Sequence, residues 1–211
     1  MIDVFDVSGS LLSHARNESM SPLKLQKLAF YSFGWYAHLT GEKLFHDRFY
    51  AMQYGPVVSP LLTAHSSTNS VSKAELESYQ GCSLDIADDY AAAVVDAVWA
   101  AYGEFNHSQL IEMTHCETPW DLAWNKRRPA GARRSDLSSD EIVDYFQAKT
   151  EASYAFSGRV FDVPVLALLP SRRETSVSEI WLHAMDTSES AIPVEHAQRA
   201  AELRRKFLIS A

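Results

Sequence analysis

The chain has 211 residues, 46% of them hydrophobic and 22% charged, enough for a sizeable core in one large domain or in one domain with a substantial appendage. Its formal charge of −8 argues against a general nucleic-acid binder, because phosphate neutralisation needs surplus Lys and Arg. Cys82 and Cys116 form no CxxC pair, no apolar stretch approaches the ~20 residues of a membrane span, and Met1 to Asp6 is acidic where a signal peptide is basic; a cytoplasmic protein is expected.

Val4, Val7, Leu11, Leu12 and Ala15 recur at helical spacing and predict an amphipathic helix over 3–17. Ser21 and Pro22 supply the cap and first position of a second helix. Its apolar face is Leu25, Leu28, Ala29, Phe33, Tyr36 and Leu39, and Gly41 stops it. Lys24, Gln26 and Lys27 fall on or beside its polar side. They are therefore read as contact residues, and reversing the charge of Lys24 or Lys27 is expected to leave stability unchanged.

Phe45 to Gln53 favours an extended segment, one side of a short hairpin. Gly55 and Pro56 then break the chain at a strand-to-helix turn, with Pro56 opening a helix through Leu61 and Leu62. Ser66 to Ser83 is polar and Ser-rich, so it reads as a mobile surface connection. Ile86 to Tyr102 carries a helical face of Val94, Val95, Val98 and Trp99 ending at Gly103, followed by a short helix from Ser108 to His115. Thr118-Pro119 launches another through Trp120, Ala123 and Trp124.

Lys126 to Arg134 is a basic loop. Its arginines, Arg127, Arg128, Arg133 and Arg134, are either solvated or placed to meet an acidic partner surface or phosphates. Ser138 with Glu141 forms a capping-box pattern opening a helix to about Lys149. Val160 to Leu169 reads as an edge strand interrupted by Pro164, and Pro193 to Leu208 as a final helix. The fold class expected is mainly α, a compact helical domain with a short β-hairpin-like element. The division is a domain over 1–153 and a strand/helix extension over 154–211 that packs on the domain or on a partner, the former being favoured because Val165 to Leu169 is too apolar to stay exposed.

The eight glycines are too widely spaced for a phosphate-cradling loop, and neither Gly-x-Ser-x-Gly nor His-Glu-x-x-His occurs. His107, His115 and Cys116 are the tightest group for a metal or a nucleophile, but His115 and Cys116 read better as helix-end packing residues. Asp85, Asp88 and Asp89 read as the acidic start of a helix. No catalytic residue, metal or cofactor is expected, and the chain is read as a non-enzyme.

Four segments, in order, resemble the motifs of the Panacea, or SocA-like antitoxin, domain. They are Ser21-Pro22-Leu23-Lys24-Leu25-Gln26-Lys27-Leu28 running to Trp35-Tyr36, then Ala51-Met52-Gln53-Tyr54-Gly55-Pro56-Val57-Val58, then Tyr102-Gly103 with Leu110, Thr114-His115 and Pro119-Trp120, and last Ser138 to Phe146. They span about residues 3–150. Met52-Gln53 departs from the family pattern, which has Trp and a Lys-like residue there, and the segment after Tyr154 has no counterpart.

The resemblance implies an antitoxin that neutralises a cognate toxin, encoded by an adjacent gene, through direct protein binding. In at least one branch such proteins act as adaptors delivering the toxin to a ClpXP-type protease. Contacts are expected from Lys24, Gln26, Lys27, Tyr54, His115 and the four loop arginines. Leu25, Leu28, Trp35, Tyr36, Gly55, Pro56, Pro119 and Trp120 are expected to be structural. The rivals are a DNA-binding regulator of its own operon, using the arginine loop, and a hydrolase with a dispersed site around His115.

Overall fold

The structure is a computed structural model that describes residues 1–65, 68–150, 153–156, 159–162 and 169–172. At its centre is α2 (Pro22–Thr40), in which thirteen of nineteen residues are buried, so it is enclosed on nearly all sides rather than laid on a surface. Ser21 caps it by accepting from the Lys24 amide, Pro22 occupies its first turn, and Gly41 at φ 82° closes it. The start and stop fall where the sequence places them.

Helices α1 (Val4–His14), α5 (Asp89–Tyr102), α6 (His107–His115) and α8 (Ser139–Ala148) pack around α2. Helix α1 begins with a reciprocal capping box between Asp3 and Asp6. It stops at His14, short of the expected residue 17, because Ala15 turns extended and Asn17 and Glu18 adopt positive φ. Helix α5 starts at Asp89, with Asp88 as its cap. Gly34 lets α8 close on α2: a Cβ there would lie 2.5 Å from the Phe146 ring. Trp35, Phe30, Tyr31, Phe33, Phe45, Phe49, Tyr102 and Phe146 then form one aromatic core.

A three-stranded antiparallel sheet in the order β3-β2-β5 lies on one side of α2. Strands β2 (Phe49–Met52) and β3 (Gly55–Val58) form a hairpin, and β5 (Arg134–Leu137) pairs with the other edge of β2. Two expectations change here. Pro56 does not open a helix but sits in edge strand β3, where its missing N–H leaves no donor unsatisfied; the helix that follows is α3 (Ser59–Ala64). The end of the basic loop becomes a strand, because Arg134 pairs with Met52.

Within the polar stretch expected as a surface connection, residues 68–83 hold more regular structure than their composition suggests. Strand β4 (Val71–Ser72) pairs with β1 (Ser19–Met20), and α4 (Lys73–Gln80) opens on a capping box between Ser72 and Glu75. Leu76, 1% exposed, anchors it. Beyond α6 the chain makes a short helix α7 (Thr118–Asp121) and a π-turn over Leu122–Lys126. Ser138 caps α8, but the expected reciprocal bond from Glu141 is not made; the Glu141 carboxylate turns to Arg127 instead.

Strands β6 (Ser153–Phe156) and β7 (Arg159–Asp162) pair antiparallel. Tyr154 and Leu169 are both buried in the core cluster. Residues 170–172 lie across the end of α2: the Arg172 amide donates to the Leu39 carbonyl at 2.8 Å, and the Tyr90 hydroxyl donates to the Pro170 carbonyl at 2.6 Å. Residues 163–168 of the expected strand, and the helix expected over 193–208, lie outside the described residues. No helix among the described residues is long and apolar enough to cross a membrane.

Candidate functional site

Edge strand β3 presents its outward backbone groups to α2, and two polar side chains of the helix meet them. Gln26 acts as a substitute strand: its Oε1 accepts from the Val58 amide at 2.7 Å, and its Nε2 donates to the Val58 carbonyl at 3.3 Å. One register step along, Lys27 Nζ donates to the Pro56 carbonyl at 2.8 Å. A buried strand edge must find such partners, since an unpaired backbone group away from water is costly. The reading of Gln26 and Lys27 as surface contacts is therefore corrected. They are 1% and 0% exposed, and helical periodicity could not reveal that the polar side of α2 faces a sheet edge.

Lys27 has no carboxylate partner among the described residues. Burial alone pushes its pKa down to about 7, far below the ordinary lysine value. Lys24 is half-buried. Its ammonium donates to the Gly103 carbonyl and sits 5.4 Å from the Trp99 ring centroid, and burial lowers its pKa against the attraction of Glu104. Leu25, Leu28 and Trp35 are fully buried and Tyr36 is partly so.

The hairpin tip is clamped from the other side by α6 and α7. Gly55 has φ +97°, and a Cβ on it would lie 2.6 Å from Thr114 Oγ1 and 2.8 Å from Lys27 Nζ. The turn it serves joins β2 to β3, not strand to helix. Trp120 Nε1 donates to the Met52 carbonyl at 3.0 Å. His115 stacks on Trp120 at 3.9 Å between centroids, and its Nε2 is buried without a partner. Burial and the nearby Lys27 charge lower the His115 pKa, against Glu112 and a backbone hydrogen bond at Gln53. Pro119 is buried, whereas Tyr54 at the tip is 57% exposed.

The stack continues outward. Trp124 lies parallel to Trp120 at 6.4 Å, and the Arg128 guanidinium lies 4.1 Å over Trp124, so His115, Trp120, Trp124 and Arg128 form a ladder from the clamped hairpin to the basic loop. Beside it, on the outer face of the sheet, the guanidinium groups of Arg134 and Arg48 lie 4.3 and 5.3 Å from the Tyr50 ring centroid. Arg127 is held bidentate by Glu141 at 2.7 Å. Arg133 is exposed. Of the residues expected to make contacts, His115 and Arg128 are linked through this ladder, Arg134 lies over Tyr50 on the neighbouring strand, and Tyr54 is exposed at the hairpin tip.

A separate buried network holds the chain that follows α8. Tyr154 Oη donates to Glu117 Oε1 at 2.7 Å, Lys149 Nζ reaches Glu117 Oε2 at 2.7 Å, and Trp35 Nε1 donates to the Tyr102 hydroxyl, itself 3.0 Å from that of Tyr154. Glu117 is fully buried, and no local pattern marks it because its partners Lys149 and Tyr154 are 32 and 37 residues away. Asp85, Asp88 and Asp89 do not converge: Asp88 caps α5 and Asp85 meets Ser83 and Lys73. No group of three or more His, Cys, Asp or Glu residues placed to hold a metal occurs among the described residues.

Residues 25–121 match the family model described as antitoxin SocA-like, Panacea domain, and over this span the chain is similar to that family. The matched span contains Gln26, Lys27, Gly55, Pro56, Thr114, His115 and Trp120, the residues that clamp the hairpin. No curated protein and no solved structure matches the chain.

Proposed function

We propose that this Panacea-domain chain is the non-enzymatic antitoxin of a toxin–antitoxin pair, and that it neutralises a cognate toxin, encoded by an adjacent gene, by binding it directly. The observation that carries the reading is the use the motif residues are put to. Gln26, Lys27 and Trp120, drawn from two helices, use their polar groups to hold one hairpin, whose Gly55 packs closely on Thr114, rather than facing a cavity where chemistry could occur. Such a clamp fits a scaffold that presents Tyr54 and the adjoining ladder to another protein, since exposed aromatic and Arg side chains on a rigid support are typical binding anchors.

The domain then spans 1–153, and the extension 154–211 packs on it, supported by the burial of Tyr154 and Leu169 and by the bond from Arg172 to Leu39. Delivery of the bound toxin to a ClpXP-type protease is the finer form of the same reading. Co-expression tests both. The chain should restore growth to cells producing the adjacent gene product. If rescue persists in cells lacking the protease, neutralisation is by blocking; if the neighbour is harmless alone, the antitoxin reading fails.

A further inference from the structure

We propose that the surface formed by Lys126, Arg133, Arg134 and the Arg128–Trp124 stack is a docking site for an Asp/Glu-rich segment of the partner protein. The proposal rests on the antitoxin reading for the identity of that partner, and on the following observations for its chemistry.

Charge is segregated in this chain. Its net charge is −8, yet Lys126 to Arg134 contains five basic residues and no acid. The structure divides these five unequally. Arg127 is neutralised by Glu141, and the nearest acid of β5, Asp136, is engaged by Arg48 at 3.0 Å. Lys126, Arg128, Arg133 and Arg134 have no carboxylate partner among the described residues. A cluster of unpaired cations on an acidic molecule repels itself and is relieved by an acidic partner.

The guanidinium groups are also positioned. Arg128 is fixed over Trp124 and donates to the Ala132 carbonyl at 2.6 Å, and Arg134 lies over Tyr50 on a strand paired to β2. Stacking fixes the guanidinium plane and leaves in-plane N–H groups for bidentate contact with a carboxylate. A groove of ≈ 370 Å³ beside Arg48 and Arg127 is also lined by Asp47 and Asp136, so the acidic segment is placed on the exposed Arg133–Arg134 face and not in this groove.

Carboxylates are favoured over nucleic acid for a specific reason. Single strands bind by stacking bases on aromatic faces, and here Tyr50 and Trp124 already carry guanidinium groups. The overall charge opposes a polyphosphate as well.

The test uses the full chain, a charge-reversed variant carrying Lys126→Glu, Arg133→Glu and Arg134→Glu, and a control variant, Arg16→Glu, at another exposed position. Fluorescence anisotropy with a labelled poly-glutamate peptide and with oligothymidylate measures binding, and a parallel titration uses the adjacent gene product. The wild type should bind poly-glutamate in preference to oligothymidylate. The triple variant, with an unchanged melting temperature, should lose about tenfold or more in affinity for both peptide and toxin, with an association rate that no longer falls with salt. Equal peptide binding by wild type and triple variant, or preference for oligothymidylate, overturns the proposal. A toxin that binds the triple variant as tightly as the wild type also overturns it while leaving the antitoxin reading intact. A neighbour that binds neither protein defeats that reading instead, and the peptide comparison still decides the chemistry of the surface.

Discussion

Lys27 lies directly beneath Gly55: a Cβ at position 55 would come within 2.8 Å of the Lys27 ammonium nitrogen. The two residues are far apart in sequence and depend on each other. Gly55 supplies a positive φ and the empty space, and Lys27 fills that space while satisfying the Pro56 carbonyl. Replacement of Gly55 by Ala meets both a strained backbone and a collision with Thr114. It should destabilise the protein by roughly 2–4 kcal/mol, read by denaturant unfolding. A loss below about 0.5 kcal/mol would mean that the hairpin tip relaxes freely.

Lys27 makes stability depend on pH in a definite direction. In the unfolded chain its amine keeps the ordinary pKa near 10.5, whereas in the folded protein burial pushes it down to about 7. Between these values the unfolded state binds more protons, so stability rises with pH, by up to about 1.4 kcal/mol per pH unit for one proton. Above about pH 10 the buried tyrosines, whose pKa values are raised by burial, reverse the trend. Unfolding free energy measured from pH 7 to about 9.5 should therefore climb, and Lys27→Met should flatten the climb. A flat wild-type profile would show that the amine reaches water.

Glu117 offers a sharper contrast between two substitutions. Tyr154→Phe removes one donor and leaves the ion pair with Lys149, so a loss of about 1–3 kcal/mol is expected. Lys149→Met leaves a buried carboxylate without its cation and should cost about 3–5 kcal/mol. The reverse order in thermal melts would place Glu117 in contact with solvent.

Trp35 is fully buried and donates to the Tyr102 hydroxyl at 2.9 Å. Trp35→Ala should destabilise by about 3–5 kcal/mol. Charge reversal at Lys27 should also be severe, contrary to what its place on the helical wheel suggests.

The framework was readable where local signals suffice. Ser21-Pro22 and Gly41 bound α2 because caps and prolines act within one turn, and Pro119 stands in the first turn of α7, although Thr118 is inside that helix and Glu117, at its N-cap, makes no capping bond. Helix α4 escaped notice because only Leu76 of its eight residues is buried, although Ser72 and Glu75 form a capping box that marks its start. Strand β5 and the burial of Gln26, Lys27 and Glu117 depend on distant partners, Met52, Val58, Pro56 and Tyr154, and no local pattern encodes them. The proposed contact surface was half legible. The arginine run was visible in the sequence, whereas the ladder linking it through Trp124 and Trp120 to His115 needed the fold.

Direct binding is best tested by calorimetric titration of the purified full chain with the purified product of the adjacent gene. A saturable complex is expected, with affinity strong enough to survive size-exclusion chromatography and weakened by replacing Tyr54 with Ala. No measurable heat and no co-elution, in conditions where the chain still rescues growth, would contradict neutralisation by direct contact.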